Sequence, residues 1–244
     1  MKPLVIANWK CNPTILKEAK RLFNSVKNGI KNIKNVEVVI CPPFVYLPAL
    51  RANGAQDCFW KEKGAFTGEV SPSMLKDIGC QYVIIGHSER RTLGETDQMI
   101  NRKLKAALKE KLKPIFCLGE TQQEREKGQT SNILESQIEK GLKKISKQEI
   151  KNLIIAYEPV WAIGTGNPCD IDTAQTMGLL IRKIITKLYS LSISENLRIL
   201  YGGSVDRKNA TDYVKEARLQ GLLVGGASLD PKEFVQLIKN VSKT

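Results

Sequence analysis

The sequence contains a single histidine, His87, among 244 residues. A metal site built on imidazole groups needs several histidines, so a histidine-based metal cluster is excluded. Cysteines are present, but none forms a C-x-x-C pair, so neither a disulfide framework nor a zinc site is indicated. The cysteines are Cys11, Cys41, Cys58, Cys80, Cys117 and Cys169. We therefore expect reduced thiols and no metal centre.

Long apolar runs are also missing. The first apolar run, Leu4–Ala7, has four residues, whereas the core of a signal peptide takes roughly 7 to 15. No run elsewhere in the chain approaches the ~20 apolar residues of a membrane span. We expect a cytoplasmic protein with no membrane partner.

Acidic and aromatic residues are in short supply. The chain has 38 basic against 25 acidic side chains, a net charge of +13, and 6% aromatic residues. The basic residues are spread through helix-like stretches, a pattern typical of a solvated surface. A nucleic-acid surface would need clustered basic groups with stacking aromatics among them, so no nucleic-acid partner is expected. The charge would still draw anionic substrates toward a cleft.

Short β-branched runs alternate with longer stretches of helical period, which predicts βα units and a parallel sheet. The predicted strands are Leu4–Ala7, Val36–Cys41, Gly54–Asp57, Tyr82–Gly86, Pro114–Leu118, Leu153–Tyr157, Leu197–Tyr201 and Gly221–Val224, of which Gly54–Asp57 carries the weakest pattern. Eight such units fit either a closed barrel or an open doubly wound sheet. An open dinucleotide fold should carry G-x-G-x-x-G after its first strand, but Asn8-Trp9-Lys10 stands there. We predict an α/β protein, a single (β/α)₈ barrel over residues 1–244.

Paired glycines follow the last two predicted strands, in Tyr201-Gly202-Gly203-Ser204 and Val224-Gly225-Gly226. Without Cβ atoms, such pairs let backbone N–H groups converge on an anion, and barrels often bind phosphate after these strands. The alternative is a pair of tight turns. The sequence favours a phosphate site.

A carboxylate ends the sixth predicted strand. Glu158 precedes a segment with a rigid start, an apolar middle and glycines near its end, as expected of a lid that closes over a site and excludes water. The lid residues are Pro159, Val160, Trp161, Ala162, Ile163, Gly164, Thr165 and Gly166. Alternatively, Glu158 is a barrel-end glutamate paired with a lysine.

His87 follows the fourth predicted strand, where polar side chains of a barrel reach the site. Ser88 is predicted to cap a short helix, whose amino terminus would disfavour imidazolium and keep His87 a neutral hydrogen-bond donor.

After the first strand, Lys10 supplies positive charge beside Asn8, or forms a salt bridge with Glu89. The two roles are compatible because a partly buried lysine usually needs a partner.

These groups form a site with a carboxylate base, an imidazole donor, a cation and a phosphate cradle. No cofactor motif accompanies them. The set predicts proton abstraction next to a carbonyl with an electrostatically stabilised enediolate, as in isomerisation of a small phosphorylated sugar.

Five motifs resemble the triosephosphate isomerase family along nearly the whole chain. They are A-N-W-K at Ala7–Lys10, G-H-S-E-R-R at Gly86–Arg91, A-Y-E-P-V-W-A-I-G-T-G at Ala156–Gly166, Y-G-G-S-V at Tyr201–Val205 and L-V-G-G-A-S-L at Leu223–Leu229. This enzyme is a known example of a glutamate base beside a neutral histidine. The resemblance implies that Glu158 is the base, His87 the electrophile, and that Asn8 and Lys10 bind dihydroxyacetone phosphate or glyceraldehyde 3-phosphate.

The resemblance further implies that Glu89 steadies Lys10 and that backbone groups of Gly164, Ser204, Gly225 and Gly226 hold the phosphate. It places the reaction in glycolysis and gluconeogenesis.

The resemblance also implies a homodimer. The segment Phe59–Ser71 resembles a loop that inserts into the partner subunit, with Thr67 reaching the other site and Glu69 and Arg90 in contact across the interface. Two departures stand out: Asp57 where asparagine is frequent in the family, and a hinge of Asn167-Pro168-Cys169 in place of one with lysine.

Three alternatives stay open. The first is another phosphosugar enzyme on the same barrel, such as a phosphoribosyl isomerase or an aldolase, of which the aldolase would need a Schiff-base lysine or a metal cluster. A retaining glycosidase would use two carboxylates but would leave the glycine pairs unexplained. A basic nucleic-acid-binding or moonlighting surface protein would show salt-dependent binding.

Overall fold

The computed structural model describes residues 1–244 and contains one eight-stranded sheet in which every paired strand is parallel. The strands are β1 (Leu4–Asn8), β2 (Glu37–Cys41), β3 (Gly54–Ala55), β4 (Tyr82–Ile85), β5 (Lys113–Leu118), β6 (Ile154–Tyr157), β7 (Arg198–Tyr201) and β8 (Gly221–Val224). Their order around the sheet is β2-β1-β8-β7-β6-β5-β4-β3, which confirms the predicted barrel. The predicted strand Gly54–Asp57 is wrong in length, because only Gly54 and Ala55 pair with β4.

Helices follow the strands and cover the outside of the sheet. They are α1 (Leu16–Ile30), α2 (Leu47–Leu50), α3 (Pro72–Asp77), α4 (Ser88–Thr92), α5 (Asp97–Lys109), α6 (Gln122–Glu126), α7 (Thr130–Gly141), α8 (Ile171–Leu188), α9 (Leu191–Asn196), α10 (Ala210–Lys215) and α11 (Pro231–Val241). Local signals set several of their starts: Thr121 and Glu124 form a capping box on α6, and Asp170 caps α8. None of these helices is long and apolar enough to cross a membrane.

The core has two parts because side chains alternate between the two faces of each strand. In β1, Leu4 and Ile6 belong to a cluster inside the barrel, whereas Val5 and Ala7 belong to the larger cluster between the sheet and the helices. The longer helices α1, α5, α7, α8 and α11 each add buried apolar side chains to the outer cluster. This packing leaves the two ends of the strands free to carry polar groups.

Side-chain amides, not backbone hydrogen bonds, join strand β2 to strand β3 where the barrel closes. Backbone ladders join seven neighbouring pairs of strands, and none joins β2 to β3. There, Asn53 Oδ1 accepts from the N–H of Ile40 at 3.3 Å, and Gln56 Nε2 donates to the carbonyl of Cys41 at 2.9 Å. A Cβ on Gly54 would come 2.5 Å from Cys41 Sγ, so only glycine lets the strands approach. We call this line between β2 and β3 the seam.

A polar cluster lies at the amino-terminal end of the strands. Glu37, the first residue of β2, accepts hydrogen bonds from the Tyr82 hydroxyl and from Arg198, at 2.5 Å for the latter. Burial alone would raise the pKa of Glu37, but these two partners outweigh it and lower that pKa below its ordinary value. The cluster ties β2, β4 and β7 together at the end away from the predicted site.

Candidate active site

A cavity of about 180 Å³ opens at the carboxyl ends of the strands. It is lined by every residue for which the sequence predicts a catalytic or substrate-binding role: Asn8, Lys10, His87, Glu158, Gly164, Ser204, Gly225 and Gly226. The larger cavity of about 550 Å³ beside α5 contains none of them. The predicted interface residues Thr67, Glu69 and Arg90 also lie outside the 180 Å³ cavity.

Glu158 is buried, with an exposed fraction of 1%, directly after β6. Its Oε2 accepts a hydrogen bond from the backbone N–H of Ser88 at 3.1 Å. Its Oε1 lies 3.2 Å from His87 Nε2, but the pair is too poorly aligned for a hydrogen bond, which leaves Oε1 without a donor. One carboxylate oxygen is therefore anchored, and the other is available to receive a proton.

His87 is the N-cap of α4, so the prediction that Ser88 caps this helix is wrong. His87 has a non-helical backbone, and its Nδ1 accepts a hydrogen bond from the N–H of Glu89 at 3.2 Å. Ser88 is already the first helical residue, and its N–H is turned toward Glu158 instead. A ring nitrogen that accepts carries no proton, so this geometry selects the neutral tautomer with its proton on Nε2. That donor lies at the cavity, on the side of Glu158.

Lys10 has φ +54°, a left-handed conformation that is rare outside glycine and concentrated at functional sites. Its N–H donates to Asn8 Oδ1 at 3.0 Å, and its carbonyl accepts from Gln56 Nε2 at 2.8 Å. Its ammonium lies 2.7 Å from Glu89 Oε1. The side chain passes close to Gly225, where a Cβ would come within 3.3 Å of Lys10 Cε. The backbone and the charge of Lys10 are thus both held in place.

The first glycine pair, Gly202 and Gly203, lies where other groups leave no room for side chains. A Cβ on Gly202 would come 2.8 Å from Glu158 Cγ, and one on Gly203 would come 2.3 Å from the Tyr201 hydroxyl. The backbone N–H groups of Gly203 and Ser204 donate to no group of the chain and remain free for an anion. The tight-turn alternative therefore explains less than an anion cradle does.

The lid, residues 159–166, is attached at its start by Trp161. The indole Nε1 donates to Glu120 Oε1 at 2.9 Å, and the Arg125 guanidinium lies 4.4 Å from the Trp161 ring centre. Glu120 is fully buried and also accepts from the Tyr157 hydroxyl at 3.1 Å. Gly164, by contrast, is exposed and has φ +70°. The start of the lid is tethered to the barrel, whereas at its glycine end the Thr165 hydroxyl bonds only to backbone groups of Ala162 and Asn167 nearby in the chain.

Sequence reasoning missed several residues around the site. Gly119 is one, because a Cβ there would come 1.8 Å from the Glu158 carbonyl oxygen. Gln137 holds Gly119 on both sides, accepting from its N–H at 2.9 Å and donating to its carbonyl at 3.1 Å. Gln56 and Glu120 were also missed. Cys117, on β5, is a buried packing residue. Burial, with the charge of Glu158 as a second cause, raises the pKa of the Cys117 thiol, which is therefore neutral.

A parallel barrel with a carboxylate, an imidazole and a cation around an anion cradle defines a class of phosphate-handling (β/α)₈ enzymes. The family pattern described as Triosephosphate isomerase matches residues 3–241. Proteins named Triosephosphate isomerase from Geotalea uraniireducens (strain Rf4), Alkaliphilus oremlandii (strain OhILAs) and Dictyoglomus turgidum (strain DSM 6724 / Z-1310) are 48%, 45% and 44% identical. The matches cover 97–98% of this chain and 98–99% of those proteins. The chain belongs to the triosephosphate isomerase family, which confirms the resemblance seen in its motifs.

Proposed function

We propose that this chain interconverts dihydroxyacetone phosphate and D-glyceraldehyde 3-phosphate, a step of glycolysis and gluconeogenesis. The observation that carries the proposal is the position of Glu158 Oε1, buried without a donor and 3.2 Å from the Nε2 of a neutral His87. A base that has no competing partner and an adjacent neutral donor are what enolisation requires.

In the proposed mechanism, Glu158 removes a proton from the carbon next to the substrate carbonyl. The electrons of that C–H bond form the C=C bond of an enediolate, whose oxygen gains negative charge. The protonated carboxyl group then returns the proton to the neighbouring carbon. As that carbon takes the proton, a second proton passes from the hydroxyl oxygen on the first carbon to the former carbonyl oxygen, so that a C=O bond forms at the first carbon. One carbon-bound proton and one hydroxyl proton thus account for both sugars, and the scheme calls on no metal or cofactor.

His87 and Lys10 act on the oxygens in this scheme. The Nε2–H of His87 donates to the oxygen on which charge develops, and the Lys10 ammonium adds a positive field in a site that closure would dry. Glu89, 2.7 Å from the Lys10 ammonium, fixes where that charge lies. Ser88 holds Glu158 through the bond to Oε2 until substrate binds.

The phosphate is proposed to lie against the glycine pairs. Free backbone N–H groups at Gly203 and Ser204 support this, together with the lining of the cavity by Gly225 and Gly226. Gly164 would complete the cradle when the lid closes. Residues 1–244 would act as one catalytic domain.

The test is the Glu158→Gln variant, measured in a coupled assay of both reaction directions. Because a positioned general base typically contributes about 10²–10⁴-fold, we expect kcat to fall by that factor while KM changes little. The control is Glu135→Gln, an exposed glutamate paired with Lys187 on the surface, which should keep full activity. Turnover of Glu158→Gln within tenfold of the unchanged protein would refute the role of the base.

We also propose a cytoplasmic homodimer. Residues 61–69 are all exposed, and the Phe66 side chain keeps 42% of its surface accessible, which suits insertion into a second copy. Arg90 has a partner in its own chain, Asp57 at 3.1 Å, so its contact with Glu69 of another copy stays a prediction. Sedimentation should give twice the 27.3 kDa chain mass, and Thr67→Arg should shift it toward one chain with loss of activity. A single-chain mass at micromolar concentration would contradict the dimer.

A further inference from the structure

The hinge that follows the lid, residues 167–169, is fixed at its last residue, Cys169. Its backbone N–H donates to the hydroxyl of Tyr201 at 2.9 Å, and its backbone carbonyl accepts from the hydroxyl of Tyr213. Its side chain is buried, with an exposed fraction of 1%. Both polar groups of the Cys169 backbone are therefore held by phenols, and Cys169 has little freedom to follow a moving lid.

The two phenols form one unit. Tyr201 ends β7 and Tyr213 lies on α10, and their rings stack with centres 3.8 Å apart and planes 13° apart. Burial raises the pKa of Tyr213 to about 12, so its hydroxyl stays protonated and able to donate at neutral pH. The Tyr201 hydroxyl occupies the space next to Gly203 in the anion cradle. The stack thus connects α10 and the cradle to the end of the lid.

The residues just before Cys169 have none of these restraints. Residues 164–168 are exposed, and Gly164 and Gly166 both have positive φ, with no atom within 4 Å of the point where a Cβ would stand. Pro168 adds a fixed φ directly before the clamped residue. The boundary between the exposed segment 164–168 and the hydrogen-bonded backbone of Cys169 therefore lies between residues 168 and 169.

We propose that Tyr213 is a positioning residue for the lid: its hydroxyl anchors the carbonyl of Cys169, so that closure is confined to residues 163–168 and carries Gly164 onto the phosphate. The inference rests on the proposed function, because it assigns the lid to a phosphorylated substrate. Tyr213 touches no reacting atom and acts only through Cys169. Without the anchor, more of the chain must be ordered each time the lid closes, and closure becomes less favourable.

The test removes the hydroxyl alone, in Tyr213→Phe, and keeps the stacked ring. Tyr189→Phe is the matched control, because the Tyr189 hydroxyl also donates to a backbone carbonyl, that of Ile145 at 3.0 Å, away from the lid. From the net value of one hydrogen bond, kcat/KM for glyceraldehyde 3-phosphate should fall about threefold to tenfold in Tyr213→Phe, mainly through KM. Tyr189→Phe should match the unchanged protein.

A substrate that lacks the phosphate distinguishes a lid-positioning role of Tyr213 from a merely structural one. Proton exchange of D-glyceraldehyde gains nothing from lid closure over a phosphate, so Tyr213→Phe should leave its rate unchanged. An equal fall for both substrates would overturn the proposal, as would an unchanged kcat/KM for glyceraldehyde 3-phosphate.

Amide hydrogen exchange on the unchanged protein gives a second readout that needs no variant. The Cys169 amide should be protected far more than the amides of residues 164–167, and in Tyr213→Phe that protection should drop. Equal exchange at Cys169 and at residues 164–167 would overturn the anchor. Absence of isomerase activity in the unchanged protein would instead refute the proposed function, and the exchange experiment would still decide whether Cys169 is clamped.

Discussion

Lys103 offers the strongest test of the energetics of this fold. Its side chain lies on α5 with an exposed fraction of 2%, and its ammonium is 2.7 Å from both carboxylate oxygens of Asp57. Glu95, whose side chain is 1% exposed, contacts the same ammonium. Arg90, 3.1 Å from Asp57, is the other cation of the group. The cluster joins the end of β3 to the helix that carries Glu89, next to the site.

Replacement of Lys103 by methionine keeps most of the side-chain volume and removes the charge. Two buried carboxylates then face each other without their shared cation. Breaking a buried ion pair from one side typically costs about 3–5 kcal/mol, because the remaining charge is left uncompensated. Each kcal/mol lowers Tm by about 2–4 °C in a chain of this size, so Lys103→Met should melt roughly 6–20 °C lower.

The assay is thermal melting and urea unfolding, both followed by circular dichroism at one fixed protein concentration, since the stability of an oligomer depends on its concentration. In urea, the midpoint should fall with the slope unchanged. Lys105→Met is the matched control: Lys105 lies on the same helix, forms no ion pair and is half-buried, so its loss should cost under about 0.5 kcal/mol. If Lys103→Met loses less than about 1 kcal/mol, the buried ion pairs do not carry the stabilisation assigned to them.

Two further predictions concern the opposite ends of the barrel. The pKa of Glu37 is lowered from its ordinary 4.5, so its stabilisation is present above that value and is lost as pH falls through the folded-state pKa. Glu37→Gln should therefore lower the denaturation midpoint at pH 7 more than at pH 3, and an equal loss at both would contradict the sign. In Gly203→Ala, the new Cβ would lie 2.3 Å from the Tyr201 hydroxyl, and a melting experiment should show a loss of about 1–3 kcal/mol. An unchanged Tm would contradict this prediction and show that the Tyr201 hydroxyl moves aside at no cost in stability.

The barrel could be predicted from the sequence because each long strand is an apolar, β-branched run with clear limits. Seven predicted strands end within one residue of those observed, whereas β3 has two residues and is recognised only through its partner β4. A strand that short carries no periodic pattern. Its position is set by the side chains of Asn53 and Gln56, which no local signal reveals.

The site was predictable to the extent that its residues stand in continuous motifs. Gln56 and Glu120 act on Lys10 and on the lid from other parts of the chain, so their roles need the three-dimensional structure. Lys103 is a different kind of miss. Helical period places position 103 on the same buried face as Ile100 and Leu104, but a charged lysine is expected in solvent unless its carboxylate partners are known.

The seam between β2 and β3 has a consequence for how this enzyme should lose activity on warming. Gln56 bonds the carbonyls of both Cys41 and Lys10, so one side chain closes the barrel at its least paired line and also restrains the left-handed backbone of Lys10. If strand separation starts there, Lys10 can relax to an ordinary backbone conformation while the seven laddered pairs persist. Inactivation would then precede melting, and the temperature at which catalysis is lost would be set by the two hydrogen bonds of Gln56.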